Sequence, residues 1–288
     1  MQPVIQHFFH PASYTLTYVV HCPKTRQCAI IDPALDFDIF SGELDIKAIE
    51  EVLAYIENEN LSVKWLMETH AHADHVTGAT ALKKRIGGQT VCGKNIVSVQ
   101  HTFKSLFNQD DFSDDGSQFD QLVSEGDKLS LGCLDISIID TPGHTPDSVT
   151  YIIGDNAFVG DTLFMPDSGS ARCDFPDGCA KQLYQSIQKI YALGEHITLY
   201  MCHDYQPNKR ELLYCCSVAD QKAHNVHVAS TVSEHEYVET RETRDRKLAV
   251  PRLIYPSLQL NIRAGELPAA ENNGAHYLKL PLSGVERI

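Results

Sequence analysis

The apolar positions of this chain change period several times, and each change marks an element. Tyr14 to His21 alternates, PKTRQ supplies turn residues, and Cys28 to Asp32 is a short apolar run ending at Pro33. That pattern predicts a hairpin. Leu44, Ile46, Ile49, Val52, Leu53 and Ile56 then recur at helical spacing, predicting an amphipathic helix of about three turns. Val63 to Met67 reads as a strand running into a cluster of histidines, and Thr77 to Ile86 as a helix stopped by Gly87-Gly88. Further on, strands are predicted at Lys128 to Asp140, Ser148 to Ile153, Ala157 to Gly160 and Thr198 to Cys202, with a helix over Ala180 to Leu193.

Two stretches break the rhythm. Gln100 to Asp120 contains KSLFNQDDFSDDGSQFD, acidic with phenylalanines at no clean period, and reads as a long surface loop or lid. From Thr231 the chain turns polar and then Pro-rich, which predicts a helix and a wrapping tail. The layout is therefore a 1–230 unit with an inserted 100–120 loop, and a 231–288 helix and tail belonging to the same domain. Strands and helices alternate, so the class is α/β, and the polar clusters follow strand ends, where such folds gather active sites from distant segments.

Composition narrows the partners. A hydrophobic fraction of 43% and a charged fraction of 22% are those of an ordinary globular protein with a sizeable core. A formal net charge of −14 argues against a nucleic-acid backbone, which requires a basic field, and Lys83 to Arg85 reads as a solvated helix face. No segment approaches the ~18–20 apolar residues of a membrane span, and MQPVIQHFFHPASY lacks the pattern of a targeting leader. No membrane partner and a cytoplasmic location are the expectations. The nine cysteines are odd in number and irregularly spaced, which fits reduced thiols rather than a disulfide framework.

The chemistry sits in four separated segments: ETHAHADH with His70, His72, Asp74 and His75; TPGHT with His144; VGDTLF with Asp161; and CHDY with His203. His at i and i+2 of an extended segment project to one side, and imidazoles with a carboxylate suit zinc or ferrous iron rather than calcium or magnesium. The later segments are weak alone, since TPGH is also a good tight turn. Their order after the first motif gives them weight.

HAHADH, GHT, GDTLF and a late histidine together resemble the metallo-β-lactamase fold, an αββα sandwich of two mixed sheets with outer helices and metals at one edge. The resemblance covers about Tyr14 to Tyr205 and includes both hydrolases and iron enzymes, so the fold does not settle the function. On the resemblance to the hydrolases, His70, His72 and His144 hold one zinc, Asp74, His75 and His203 a second, and Asp161 bridges. That alternative is a dinuclear thioester hydrolase of the glyoxalase II type.

ETHAHADHVTGA, GSARCDFPDGCAKQLYQSI and CHDY are instead similar to the persulfide dioxygenases, and the length, the insertion and PSLQLNIRAGELP resemble their longer bacterial branch, often labelled β-lactamase-like hydrolases. This resemblance implies one Fe(II) per chain on His70, His144 and Asp161, with His72, Asp74, His75 and His203 orienting ligands and solvent by hydrogen bonds. It also implies oxidation of glutathione persulfide, or a related low-molecular-weight persulfide, by O2 to sulfite and thiol. Arg172, Asp174 and Tyr205 align with residues that bind the substrate. Arg172 would grip a carboxylate, with a structural ion pair as the competing reading; Asp174 would meet the substrate's amine or simply fix Arg172. Homodimers occur among enzymes of this type, and no interface is legible here.

Overall fold

The computed structural model describes residues 1–283; the last five residues of the expected 231–288 tail lie outside it. One mixed sheet has the order β1-β2-β3-β6-β8-β9. Its strands are β1 (Val4–His10), β2 (Thr15–His21), β3 (Gln27–Ile31), β6 (Ser62–Met67), β8 (Gln89–Gly93) and β9 (Gln121–Val123). β1, β2 and β3 pair antiparallel, whereas β3, β6, β8 and β9 are parallel neighbours. The second sheet runs in sequence order through β10 (Lys128–Leu131), β11 (Leu134–Asp140), β12 (Val149–Ile153), β13 (Asn156–Phe158), β14 (Thr198–Tyr200) and β15 (Cys215–Ser217). A small third sheet joins β4 (Ala34–Asp38), β5 (Glu43–Asp45) and β7 (Val76–Thr77).

Period-two alternation explains the layering. Leu16, Tyr18 and Val20 of β2 and Leu134, Ile136 and Ile138 of β11 point into the space between the large sheets, where they share a core with Trp65, Met67, Tyr151 and Phe158. Val19, Ile30 and Leu66 face the other way, onto Ile49, Val52 and Ile56 of α1 (Lys47–Asn58) and Leu82 of α2 (Ala79–Ile86). Behind the second sheet, Leu183, Ile187 and Ile190 of α4 (Ala180–Tyr191) cover Ala157, Leu199 and Met201. The layers are helix, sheet, sheet, helix, as expected.

The 100–120 stretch differs from its expected form. α3 spans Ile96–Leu106, and Phe107, Phe112 and Phe119 are buried with Phe103 and Val99. The acidic residues face water while the phenylalanines make a fourth core, which hid Val99-Phe103-Phe107 as a helical stripe. The turn of the chain at 34–45 and the strand β1 were also absent from the sequence expectation, and Leu44 belongs to β5 rather than to α1. Three further helices follow: α5 (Val218–His224), α6 (Glu234–Asp245) and α7 (Ile254–Asn261). Tyr237 of α6 enters the α4 core and Leu258 of α7 enters the phenylalanine core. Among the described residues no helix is long and apolar enough to cross a membrane.

Candidate metal centre

β6 ends at Met67, and beyond two main-chain bonds, Glu68 N to the Val91 carbonyl and Val149 N to the Thr69 carbonyl, the following loop is held by buried side chains. Asp32, just after β3, accepts from the Thr69 amide at 2.7 Å, from Thr69 Oγ1 at 2.9 Å and from His72 Nε2 at 3.0 Å. Asp147 Oδ2 accepts from the Ala71 amide at 2.7 Å. Glu68 is buried beside them: it accepts from Thr77 Oγ1, and its second oxygen lies 3.5 Å from His72 Nε2. Two glycines permit the loops to close. Gly160 has φ +53, and a Cβ there would fall 2.6 Å from Thr69 Oγ1; Gly143 has φ +136, and its Cβ would meet the Leu183 backbone at 2.3 Å.

These anchors choose the tautomers. The Thr69 hydroxyl gives its proton to Asp32, so it accepts from His70 Nδ1 at 3.1 Å and leaves His70 Nε2 as the free lone pair. His144 Nδ1 donates to the Arg172 carbonyl at 2.7 Å, freeing its Nε2 in the same way. Asp161 Oδ2 lies 3.9 Å from His70 Nε2 and 3.7 Å from His144 Nε2. These separations exceed a hydrogen bond, yet suit ligands about 2.0–2.2 Å from a common ion.

Among the described residues four groups of metal-ligating atoms result, each within 4.8 Å: His70, His144 and Asp161; next to them His72, Asp74, His75 and His203; and two that include the buried Cys202, with Asp32 and His72 and with Asp161 and His203. His203 Nε2 joins the groups, 3.2 Å from Asp74 Oδ2 and 3.3 Å from Asp161 Oδ1, without the alignment of a hydrogen bond. Burial, and then repulsion from its neighbours, lowers the proton affinity of His70 well below the ordinary value. The same causes bring His75 down to about 4. Both are therefore neutral, as ligands must be. At His72 burial again disfavours the proton, but the charge and hydrogen bond of Asp32 overcome it and raise the affinity.

A divalent metal fits this arrangement. His70 Nε2, His72 Nδ1, His75 Nε2, His203 Nε2 and Asp161 Oδ1 are buried without hydrogen-bond partners, and each would cost ~1–3 kcal/mol if left so. The structure brings together the seven ligand-type residues of the four sequence segments, these five with Asp74 and His144. Sequence reasoning missed Asp32, Glu68 and Thr69, whose only signal is a polar residue following an apolar run, and Asp147, a polar residue in the turn before one.

The substrate residues are placed less uniformly. A cavity of about 930 Å³ opens beside Asp74, His75 and Tyr205 and runs along Tyr14, Phe37 and Phe40 to Arg252. The Tyr205 ring lies 5.8 Å from His203 and 5.7 Å from Tyr14. Arg172 instead forks onto Asp174, with Nε and Nη2 each 2.6 Å from a carboxylate oxygen, while Nη1 donates to the Ala249 carbonyl at 2.8 Å. Among the described residues Arg252 has no ion pair; its guanidinium sits 4.9 Å over the Phe40 ring. Arg252 and Tyr14 carry no motif that the sequence reading could use.

The model of the metallo-beta-lactamase superfamily matches residues 10–203, from the first hairpin to the last histidine of the centre. The chain belongs to that superfamily. This metallo-beta-lactamase relative is 45% identical to a probable metallo-hydrolase of Burkholderia pseudomallei, covering 98% of this chain and 99% of that one. It is 43% identical to the glyoxylase B2 of Dictyostelium discoideum over 92% of this chain and 91% of the other. It is 29% identical to the mitochondrial persulfide dioxygenase of Mus musculus, covering 91% of this chain and 89% of the mouse protein. The structure of ETHE1 from Myxococcus xanthus superposes with a TM-score of 0.74 at 29% identity, over 91% of this chain and 100% of the other. The chain spans only about two-thirds, 66%, of several bacterial relatives named beta-lactamase hydrolase-like proteins.

Proposed function

We propose that this protein is an iron-dependent persulfide dioxygenase. The observation that carries the reading is the group of two histidines and one aspartate, His70, His144 and Asp161, which is the ligand set of non-haem ferrous oxygenases. The resemblance to persulfide dioxygenases supports it. His70, His144 and Asp161 would hold one ferrous ion, which when bound supplies redox chemistry between dioxygen and a sulfur ligand. The overall change is one persulfide, one dioxygen and one water going to one thiol, one sulfite and two protons, with four electrons passing from sulfur to dioxygen.

The chain's own residues divide the remaining work. A cavity of about 930 Å³ is far larger than inorganic sulfide needs and matches a carrier-borne persulfide such as that of glutathione. Tyr14 and Tyr205 line it beside Asp74 and His75, and Arg252 offers a cation in the same wall. The fork of Asp174 on Arg172 favours a positioning role for this pair, because the Arg172 carbonyl fixes His144. For the protons, a chain of polar groups leads out: His75 Nδ1 and His203 Nδ1 reach Thr15 Oγ1 at 3.2 and 3.4 Å, Thr15 reaches Ser13 Oγ at 2.6 Å, Ser13 reaches His10 Nδ1 at 2.6 Å, and His10 reaches Asp36 at 3.0 Å.

A second reading rests on its own observation. The unpartnered nitrogens of His75 and His203, grouped with Asp74, would suit a second ion, and that of His72 would join His70 and His144 on the first, giving a dinuclear zinc thioester hydrolase. The test is to supply the purified protein in parallel with glutathione persulfide, following dissolved oxygen and sulfite, and with a glutathione thioester, following thiol release. Oxygen consumed in step with sulfite supports the dioxygenase; thioester hydrolysis without oxygen uptake on the persulfide overturns it.

A further inference from the structure

The loop that carries His72, Asp74 and His75 is tied to a helix almost two hundred residues away. Asn261, the last residue of α7, is 3% exposed. Its Nδ2 donates to the carbonyls of His72 and His75, each at 2.8 Å, and its Oδ1 accepts from the Thr77 amide at 2.9 Å. Among the described backbone hydrogen bonds none ends on the His72 or His75 carbonyl. One side chain thus satisfies three main-chain groups that the irregular loop leaves open, as buried main-chain groups require.

The same helix is fastened on its other side. Gln259 exchanges two hydrogen bonds with Lys279, each at 2.8 Å, and Gln100 Nε2 donates to the Ile262 carbonyl at 2.8 Å. Residues two apart on a helix point in nearly opposite directions, so Gln259 holds the tail while Asn261 holds the ligand loop. Thr80 Oγ1 adds a bond of 2.8 Å to the Ala264 carbonyl. The C-terminal segment is a bolt across the metal loop.

We propose that Asn261 is a positioning residue for the metal centre: it sets the backbone of the ligand loop, and through it the rate at which a bound divalent ion leaves. The inference rests on the metal-centre reading but not on which reaction the centre performs. Only an amide has the required two donors and one acceptor at this reach. Asn261→Asp keeps the shape and the acceptor for Thr77, but sets lone pairs against two carbonyls.

The test uses cobalt(II) as the probe. Wild type, Asn261→Ala, Asn261→Asp and Gln259→Ala are loaded with cobalt, and its release into excess chelator is timed by the visible spectrum. Thermal unfolding and amide hydrogen exchange are measured on the metal-free proteins. Asn261 variants are expected to release cobalt at least about tenfold faster than wild type, the range seen when outer partners of a site are lost. Gln259→Ala, which loosens the same helix from its other side, should stay within about twofold. Equal release from the Asn261 and Gln259 variants at matched thermal stability overturns the proposal. If wild type takes up no cobalt, the metal-centre reading fails and hydrogen exchange decides: faster exchange across 72–77 in Asn261→Asp supports the positioning role, and unchanged exchange overturns it.

Discussion

Asp32→Asn is the sharpest test of how the centre is held. The residue lies just past β3 with φ +50, a left-handed conformation that asparagine accepts as readily as aspartate, so the backbone has no reason to move. What changes is the acceptor set. Three donors point at the carboxylate: the Thr69 amide, the Thr69 hydroxyl and His72 Nε2, at 2.7, 2.9 and 3.0 Å. An asparagine oxygen can serve the two on one side, but its NH2 must then face the remaining donor. Breaking one side of a buried charged pair costs ~3–5 kcal/mol, and hydrogen bonds to a charged group contribute ~1.5–3 kcal/mol each. We expect the metal-free protein to lose ~3–5 kcal/mol in urea unfolding, with an unchanged slope. Metal affinity should fall about 10- to 100-fold, because the Thr69 hydroxyl would no longer orient His70. Stability and metal retention equal to wild type would refute the view that the Asp32 carboxylate organises this loop.

Other outcomes follow from the same geometry. Phe107 lies 5.8 Å from Phe103 and 6.1 Å from Tyr255, so Phe107→Ala should cost ~3–5 kcal/mol in urea unfolding; a loss below ~1 kcal/mol would restore the surface-loop reading of 100–120. His227 is held down to about 4 by burial, and its Nδ1 accepts from the Ser170 amide at 3.1 Å. A folded value below the unfolded one means stability is complete above about pH 6.5 and is lost as pH falls toward 4. His227→Gln should flatten that part of the profile by on the order of 2 kcal/mol, discounted for the ring's partial exposure, and an identical slope in both proteins would contradict it. On the dioxygenase reading, Arg252→Ala should raise KM for glutathione persulfide about tenfold with little change in kcat, the mark of lost ground-state binding. An unchanged KM would remove Arg252 from the substrate's path.

The sequence was most informative where periodicity and ligand chemistry coincided. β2 and β3, α1, α2 and α4 announced themselves because one face of each is apolar at the right spacing. The metal residues were legible because imidazoles and carboxylates crowd four short segments. The 100–120 region misled because its helix begins before it, at Ile96, and its acidic tip dominates composition, although Phe103 and Phe107 are one helical turn apart. The supporting residues were beyond reach for a different reason. Asp32, Asp147 and Asn261 act through hydrogen bonds to groups far away in the chain, and nothing local distinguishes them from an ordinary polar residue beside a strand or at the end of a helix. Arg172 shows the converse limit: its residue type fits a carboxylate without saying whose, and its fork meets that of Asp174.

The most direct test of the central claim is the metal content of anaerobically purified wild type, His70→Ala and His72→Ala. One iron per chain in wild type and in His72→Ala, with iron lost from His70→Ala, is the result a single centre on His70, His144 and Asp161 predicts. Two zinc ions per chain in wild type, with metal lost from both variants, would contradict it.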